Sequence, residues 1–99
     1  MIKDSQARII DKKSWNNYYL LSLESPRIAS QAHSGQFIMI RISHHPYPLL
    51  RRPFSLHSKD EKSIDIFFQA SGLGTDLLSQ KKVGDVLDIL GPLGKGFHG

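Results

Sequence analysis

Alternating apolar and polar residues predict short β-strands over most of this chain. In the segment Tyr18–Ser25, Tyr19, Leu21 and Leu23 fall on one face and polar residues on the other, which is the period of two of a half-buried strand. Pro26 ends this strand, because proline lacks the N–H that a strand ladder needs. Five further segments have strand character by the same alternation or by their β-branched content: Ala7–Lys13, Gln36–Ile42, Phe54–Lys59, Ser63–Ala70 and Val86–Leu90.

A single helix is predicted, over Thr75–Lys81. Thr75 is a residue type that caps first turns, Asp76 suits the positive N-terminal end, and Lys81 with Lys82 suits the other end. Five or six short strands with turns between them and one short helix describe a small antiparallel barrel or sandwich. Strand–helix alternation is missing, so a doubly wound parallel sheet is not expected.

Length and composition indicate one globular domain, and we take residues 1–99 as a single unit. The sequence has no cysteine, which excludes disulfides and a thiolate-held iron–sulfur cluster within these residues. Thirteen Lys plus Arg against nine Asp plus Glu give a net charge of +4, but the basic residues occur in dispersed pairs. The sequence starts without an apolar signal region, and no stretch approaches the roughly 20 apolar residues of a membrane span. These features predict a cytoplasmic protein with no membrane contact.

The first candidate for chemistry is the segment LLRRPFSL at residues 49–56. Arg52, Phe54 and Ser55 stand at positions i, i+2 and i+3 as the chain enters a strand, so Arg52 and Phe54 are expected on the same side. A guanidinium fits a pyrophosphate, an aromatic ring offers a stacking face, and a hydroxyl or its N–H can hydrogen-bond a ring nitrogen. Together these groups suit a flavin nucleotide, although a surface arginine beside a core phenylalanine is the simpler alternative.

The second candidate is the segment QASGLGT at residues 69–75, which leads into the predicted helix. Glycines permit close backbone approach to a phosphate, and a helix start offers free N–H groups and partial positive charge. The segment lacks the third glycine of a dinucleotide fingerprint and the lysine of a P-loop, and a plain strand-to-helix turn is the alternative. Taken together, the two segments predict a pyrophosphate between Arg52 and the start of the helix.

Four blocks, in order along the chain, resemble the FAD-binding domain of the ferredoxin–NAD(P)H reductase superfamily. They are GQFIMI at 35–40, RPFS at 52–55, GLGT at 72–75, and GD at 84–85 with GPLGKGF at 91–97. The LLRRPxS form of the second block, with GxGT and GPLGxGF, looks most like the electron-transfer subunit of class B dihydroorotate dehydrogenase. The resemblance implies a Greek-key barrel of six antiparallel strands that binds FAD.

The resemblance also implies roles for individual residues. Arg52 would hold FAD phosphate, Phe54 would lie at the isoalloxazine, Ser55 would contact the ring near its redox-active edge, and Gly74 with Thr75 would bind the pyrophosphate. Four neighbours in the same two segments complete the expected cofactor-binding set: Pro53, Gln69, Ala70 and Ser71. The last three would border the ribityl and adenosine portions of FAD. No catalytic residue is expected, because the cofactor carries the redox chemistry.

The implied function is that of one part of a flavin-dependent oxidoreductase. Proteins of the resembled family continue into a nicotinamide-binding domain, and the dihydroorotate-linked subunit adds a cysteine-rich tail for a 2Fe-2S cluster. Neither occurs in these 99 residues, so NAD and the 2Fe-2S cluster are expected only in the full-length parent. In that parent, electrons would pass between the flavin of a dihydroorotate dehydrogenase catalytic subunit, the cluster, this FAD and NAD⁺, within a heterotetramer that serves pyrimidine biosynthesis.

Three alternatives stay open at this point. One is a reductase for ferredoxin or flavodoxin, or a subunit of another NAD(P)H-linked complex. Another is an OB-like barrel for single-stranded nucleic acid, which would need exposed aromatic residues interleaved with Lys and Arg on adjacent strands. It is disfavoured because most aromatic residues fall at inward-phased positions. The third is a barrel that has lost its ligand and survives as an interaction surface.

The remaining residues with possible chemistry have simpler explanations. The five histidines are irregularly spaced and lack a partnering carboxylate cluster, so solvated or packed side chains are expected and no metal site: His33, His44, His45, His57 and His98. Trp15, Tyr18 and Tyr19 are expected to pack in the core or at a strand edge.

Overall fold

The computed structural model describes residues 1–41 and 51–95. Within these ranges six antiparallel strands close into a barrel in the order β1-β2-β5-β4-β3-β6, and two short helices accompany them. The last strand lies beside the first of the three hairpin-connected strands β3, β4 and β5, which is the Greek-key arrangement. The elements are β1 Ile2–Trp15, β2 Tyr18–Glu24, α1 Pro26–Gln31, β3 Phe37–Arg41, β4 Arg51–Lys59, β5 Ser63–Gln69, α2 Leu73–Ser79 and β6 Val86–Leu93.

All six predicted strands are present, and the largest difference in extent is at β1. The predicted strand Ala7–Lys13 is only the middle of Ile2–Trp15. The pairing of β1 shifts register between Asp4 and Ala7 against β6, and again between Ile9 and Asp11 against β2. Each irregularity breaks the period of two, because a bulge inserts an extra residue into one strand. The sequence pattern therefore shows only part of the strand.

The barrel interior is filled by the residues that the alternation places inward. Leu21 and Leu23 of β2 face Ile66 and Ile64 of β5 across the ladder, and all four are fully buried. Each buried aliphatic side chain of this size contributes about 1.5–3 kcal/mol by leaving water. The remaining large, fully buried aliphatic side chains come from most of the other elements: Ile9, Ile28, Ile38, Ile40, Leu78 and Ile89.

The prediction of one helix is wrong, because the structure has a second one at Pro26–Gln31. Proline ends the preceding strand as expected, but its fixed φ also suits the first turn of a helix, where Pro26 stands. Six residues are too few to form a stable helix by intrinsic propensity. Ile28 and Ala29 are buried against the barrel, and Lys59 Nζ donates to the Ala29 carbonyl at 2.8 Å. Tertiary packing therefore forms α1.

The predicted helix Thr75–Lys81 is present but begins and ends two residues earlier, at Leu73 and Ser79. Leu78 is buried in the barrel core and Leu77 packs against it. No helix within residues 1–41 and 51–95 has the length and apolar character needed to cross a membrane.

Candidate functional site

The side chain of Arg52 lies directly against the first turn of α2. A methyl group built on the Cα of Gly74 would stand 2.8 Å from Arg52 Nε and 3.3 Å from its Cδ. Real Cβ atoms do not approach other atoms this closely, so only glycine at position 74 leaves the guanidinium where it is. The strand entry and the helix start, which are separate segments of the sequence, thus meet at one place.

The two consecutive arginines of β4 have different surroundings. Arg51 Nη2 forms an ion pair with Asp88 Oδ1 at 2.8 Å, and Arg51 Nη1 donates to the Asp88 carbonyl at 3.0 Å. Arg52 is exposed, and no acceptor within residues 1–41 and 51–95 takes a hydrogen bond from its guanidinium. Arg51 joins β4 to β6, whereas the Arg52 guanidinium stays available to an anion beside Gly74.

Register places Arg52 and Phe54 on the same side of β4. They stand opposite Ile40 and Ile38 of β3, and both isoleucines are core residues. Phe54 is only 6% exposed, and its ring meets that of Phe68 edge-on at 5.6 Å. The ring therefore belongs to the core.

The neighbours of Phe54 point away from the core. Pro53 and Ser55 are exposed and stand opposite Met39 and Phe37 of β3. The Ser55 hydroxyl is thus carried on the other face of β4 from Phe54, as strand geometry requires.

The loop before α2 is organised by Thr75. Its hydroxyl oxygen accepts hydrogen bonds from the N–H groups of Ser71 and Gly72 at 2.9 and 3.1 Å. The same hydroxyl donates to the Gly72 carbonyl at 3.1 Å. Thr75 is therefore the third residue of the helix, reaching back to the cap, and not the N-cap that the sequence predicts.

The start of α2 retains free backbone donors. The first hydrogen bond of the helix runs from the Asp76 N–H to the Gly72 carbonyl at 2.8 Å. The N–H groups of Leu73, Gly74 and Thr75 come before this bond and take no part in the helical hydrogen bonding. Such groups have no partner within their helix and can meet an external acceptor. Gly74 is buried beside Arg52, whereas Thr75 is half-buried.

The other predicted contacts lie at the end of β5. Gln69 is exposed and stands opposite Tyr18 of β2, while the Ala70 N–H donates to the Asn17 carbonyl at 2.8 Å. Ser71 is exposed and follows directly. These three residues border the turn between β1 and β2 on one side and the start of α2 on the other.

The expectation that most aromatic residues point inward holds for Phe54 and Phe68 but not for three others. Trp15, Tyr18 and Phe67 are 52%, 41% and 44% exposed on three adjacent strands. Phe67 stacks on Tyr18 with ring centroids 5.7 Å apart and lies 6.4 Å from Trp15. They pack with one another on the outer surface of the barrel and not in the core.

Residues 1–41 and 51–95 contain no group of three or more His, Cys, Asp or Glu side chains placed to hold a metal ion. Three of the histidines considered above lie outside the described residues: His44, His45 and His98. Residues 42, 49–50 and 96–97 also lie outside the described residues. They belong to the predicted third strand, to the first candidate segment and to the last of the four blocks.

Lys12 of β1, which no sequence motif marks, also contacts the region of α2. Lys12 Nζ donates to the carbonyls of Ser79 and Lys81, at the C-terminal end of α2. The sequence shows only a basic pair on a strand, and the helix end that Lys12 contacts is 67 residues away along the chain. No local signal could have found it.

The closed six-stranded barrel is the fold of reductases of the ferredoxin-NADP type. Solved structures agree. An NADH-dependent reduced ferredoxin-NADP oxidoreductase superposes with a TM-score of 0.86 at 25% identity, over 96% of this chain and 35% of that one. Ferredoxin-NADP⁺ reductase from Plasmodium falciparum shares the fold, with a TM-score of 0.75 at 15% identity over 92% of this chain and 39% of its own.

The chain belongs to the FAD-binding barrel domains of the ferredoxin reductase superfamily. Its sequence is similar to the dihydroorotate dehydrogenase B (NAD⁺) electron transfer subunit of Desulforamulus reducens, 42% identical over 83 residues, or 82% of this chain and 32% of that protein. The corresponding subunit of a Geobacillus species is 36% identical over 98% of this chain and 39% of its own length. The chain thus spans roughly a third of these relatives. No protein-family model matches it.

Proposed function

We propose that this chain binds FAD and forms the flavin domain of an electron-transfer subunit that carries electrons from dihydroorotate dehydrogenase to NAD⁺ in pyrimidine biosynthesis. The observation that carries the proposal is the position of the Arg52 guanidinium, unpaired among the described residues and packed on Gly74 at the start of α2. A cation and free backbone N–H groups close to one another are the donors that a diphosphate requires. The similarity to electron transfer subunits over 82% to 98% of this chain supports the same conclusion.

In this proposal the protein binds and orients the cofactor. Arg52 neutralises the diphosphate, and the N–H groups of Gly74 and Thr75 donate to its oxygens, at positions where a helix start favours negative charge. When bound, FAD supplies the electron-transfer chemistry that no side chain of this chain offers. Arg52 and the start of α2 would hold the cofactor by its diphosphate.

The remaining predicted residues act on the two ends of the cofactor. Ser55, exposed on β4, donates or accepts a hydrogen bond at the isoalloxazine, next to Pro53. Phe54 supports the isoalloxazine from the core, because its ring meets that of Phe68 edge-on and is only 6% exposed. The end of β5 borders the ribityl and adenosine portions with three residues: Gln69, Ala70 and Ser71.

The wider assembly belongs to the same proposal. Residues 1–99 form the FAD domain, and the nicotinamide site and the 2Fe-2S cluster lie in the parts of the full-length parent that correspond to the other two thirds of the relatives. The partner is the dihydroorotate dehydrogenase catalytic subunit, in a heterotetramer that works in the cytoplasm. Nucleic acid and membrane are not partners in this proposal.

A second candidate is the FAD domain of a ferredoxin or flavodoxin reductase, or of another NAD(P)H-linked complex. The superposition on an NADH-dependent reduced ferredoxin-NADP oxidoreductase at a TM-score of 0.86 favours it. Both candidates require FAD and differ in the electron partner. Reduction by dihydroorotate through an added catalytic subunit, compared with reduction of ferredoxin, separates them in the full-length protein.

Flavin binding itself is tested by spectroscopy on the full-length polypeptide that carries this sequence. We expect flavin absorption bands to stay with the protein through gel filtration. Arg52→Ala should weaken FAD binding by about 10- to 100-fold, the range for a hydrogen-bonded charged partner. Arg51→Ala is the matched control: it removes an adjacent guanidinium that is bound to Asp88, and it should leave the affinity within about threefold of the parent. A full-length protein that retains no FAD, or an Arg52→Ala variant that binds as tightly as the parent, would contradict the proposal.

A further inference from the structure

We propose that Lys12 is a positioning residue for the candidate diphosphate site, although it lies on β1 and contacts neither candidate segment directly. It holds the C-terminal end of α2 on the barrel, and the helix in turn keeps Gly74 against Arg52. The inference rests on the proposed function, because its effect is expressed through FAD binding.

The contact between Lys12 and α2 is polar and short. Lys12 Nζ donates to the Ser79 carbonyl at 2.6 Å and to the Lys81 carbonyl at 2.7 Å, in a partly buried setting. Ser79 is the last residue of α2, and the last carbonyls of a helix have no partner within it and carry its negative partial charge. Lys81 lies two residues beyond the end of the helix. A lysine ammonium satisfies both requirements at once, and charge-assisted bonds of this length are the stronger kind.

The helix that Lys12 holds cannot define its own position. It has seven residues, and isolated helices shorter than about 12–15 residues are marginal in water. Its apolar anchors are Leu78, which is buried, and Leu77, which packs on the core. Apolar contacts are non-directional, so they permit sliding and rotation, whereas the two bonds from one ammonium fix the end of the helix.

The same ammonium is linked to the aromatic residues behind β4. It lies 5.4 Å from the centroid of the Tyr19 ring, within the range of a cation–π contact. Tyr19 stacks on Phe68 at 5.5 Å, and Phe68 meets Phe54 edge-on at 5.6 Å. Lys12 therefore contacts the end of α2 directly, whereas its link to the core beneath Phe54 runs only through the rings of Tyr19 and Phe68.

The consequence at the site falls on Arg52. The Nε and Cδ atoms of Arg52 pack on Gly74. A displacement of α2 would remove this contact, which holds the guanidinium in its orientation. Loss of Lys12 should therefore weaken recognition of the phosphates and leave recognition of the ring system unchanged. FAD and riboflavin share the ring system and the ribityl chain, and FAD adds the diphosphate with its adenosine. Comparing the two affinities therefore separates recognition of the ring system from recognition of the rest of the cofactor.

The test compares FAD and riboflavin affinities of the full-length polypeptide by flavin fluorescence titration. We expect Lys12→Met to bind FAD about tenfold more weakly, as befits a lost charge-assisted contact, with an unchanged riboflavin affinity. Lys12→Arg, which keeps the charge and donors, should restore most of the FAD affinity. In an Arg52→Ala background, Lys12→Met should have no further effect, because both substitutions remove the same interaction.

Two controls exclude a general loss of stability. Lys59→Met removes the equivalent bond to the other helix, from Lys59 Nζ to the Ala29 carbonyl, and should leave FAD affinity unchanged even where it lowers Tm. Lys13→Met removes an exposed lysine next to Lys12 and should have no effect. If Lys12→Met does not fold, Lys12→Gln retains a donor without the charge and gives the same readout.

Equal weakening of FAD and riboflavin by Lys12→Met would overturn the inference, as would full additivity with Arg52→Ala. So would an unchanged FAD affinity in Lys12→Met while Arg52→Ala weakens binding, a result that would leave the proposed function intact. A parent protein that binds no FAD would overturn both together.

Discussion

The side chain of Arg52 crosses Gly74 with no space for a Cβ atom between them, since a methyl group there would stand 2.8 Å from Arg52 Nε. The contact is made by the outer part of a flexible side chain. A larger residue at position 74 would therefore redirect Arg52 before it disturbed the fold. This separation of binding from stability is unusual for a buried glycine and makes position 74 a selective probe of the site.

Gly74→Ala should lower FAD affinity without lowering stability. Alanine is favoured over glycine by up to about 1 kcal/mol in a helix interior, and by less at Gly74, the second residue of α2, so Tm should stay equal or rise slightly. The added methyl group displaces the guanidinium, and FAD binding should weaken by about tenfold or more. Gly72→Ala is the matched control, because a Cβ at Gly72 would meet no atom within 4 Å. A tight-binding Gly74→Ala variant would show that the Arg52 orientation does not matter.

Arg51 and Asp88 should contribute to stability and not to flavin binding. Their ion pair is partly buried, with 21% and 13% of the side chains exposed. A double-mutant cycle with Arg51→Ala and Asp88→Ala, followed by chemical unfolding, should give a coupling on the order of 1 kcal/mol. The FAD affinities of all four proteins should agree. Zero coupling would mean that solvent screens the pair completely.

Ser25→Ala should cost about 1–2 kcal/mol of unfolding free energy. Ser25 stands at the N-cap of α1 but is fully buried, and its hydroxyl donates to Asp4 Oδ2 at 2.6 Å instead of capping the helix. Removing it leaves the Asp4 carboxylate without that donor at the junction of β1 and α1. Ser30→Ala removes an exposed hydroxyl that donates to the Arg27 carbonyl of its own helix, and it should stay within about 0.5 kcal/mol of the unsubstituted protein.

The turn between β4 and β5 should make stability depend on pH through Asp60. The backbone N–H groups of Lys62 and Ser63 donate to Asp60 Oδ1 at 2.8 and 2.7 Å, and these bonds lower the pKa of the Asp60 carboxyl below its usual 3.8. A depressed folded-state pKa stabilises the protein above the unfolded value, and that stabilisation is lost as the pH falls through the folded value.

Asp60→Asn should therefore lower Tm at neutral pH and lose this effect progressively as the pH falls below 3.8. Thermal unfolding of the variant and the parent across this range measures the difference directly. Glu61→Gln, a change of charge at the adjacent exposed position, serves as the control and should show no such convergence. A Tm difference that is constant with pH would contradict the assignment to ionised Asp60.

Much of the candidate site could be predicted from the chain itself. The types of group at Arg52, Gly74 and Thr75 indicate a phosphate site, and the structure places Arg52 against Gly74. The Thr75 hydroxyl differs from expectation, because it satisfies the N–H groups of Ser71 and Gly72 from inside the helix. The burial of Phe54 against Phe68 also required the structure, since a single inward position can face either a core or a ligand.

What the sequence determined by itself is the set of strands and the side of each strand that faces inward. The period of two is a local property, and pairs such as Leu21 with Ile66 follow once the strands meet. The tertiary structure alone decided on α1, on the register shifts of β1, and on the contacts of Lys12 with the end of α2, 67 residues away. Such features depend on burial and hydrogen bonds between distant segments, whose free energies no local pattern of residues contains.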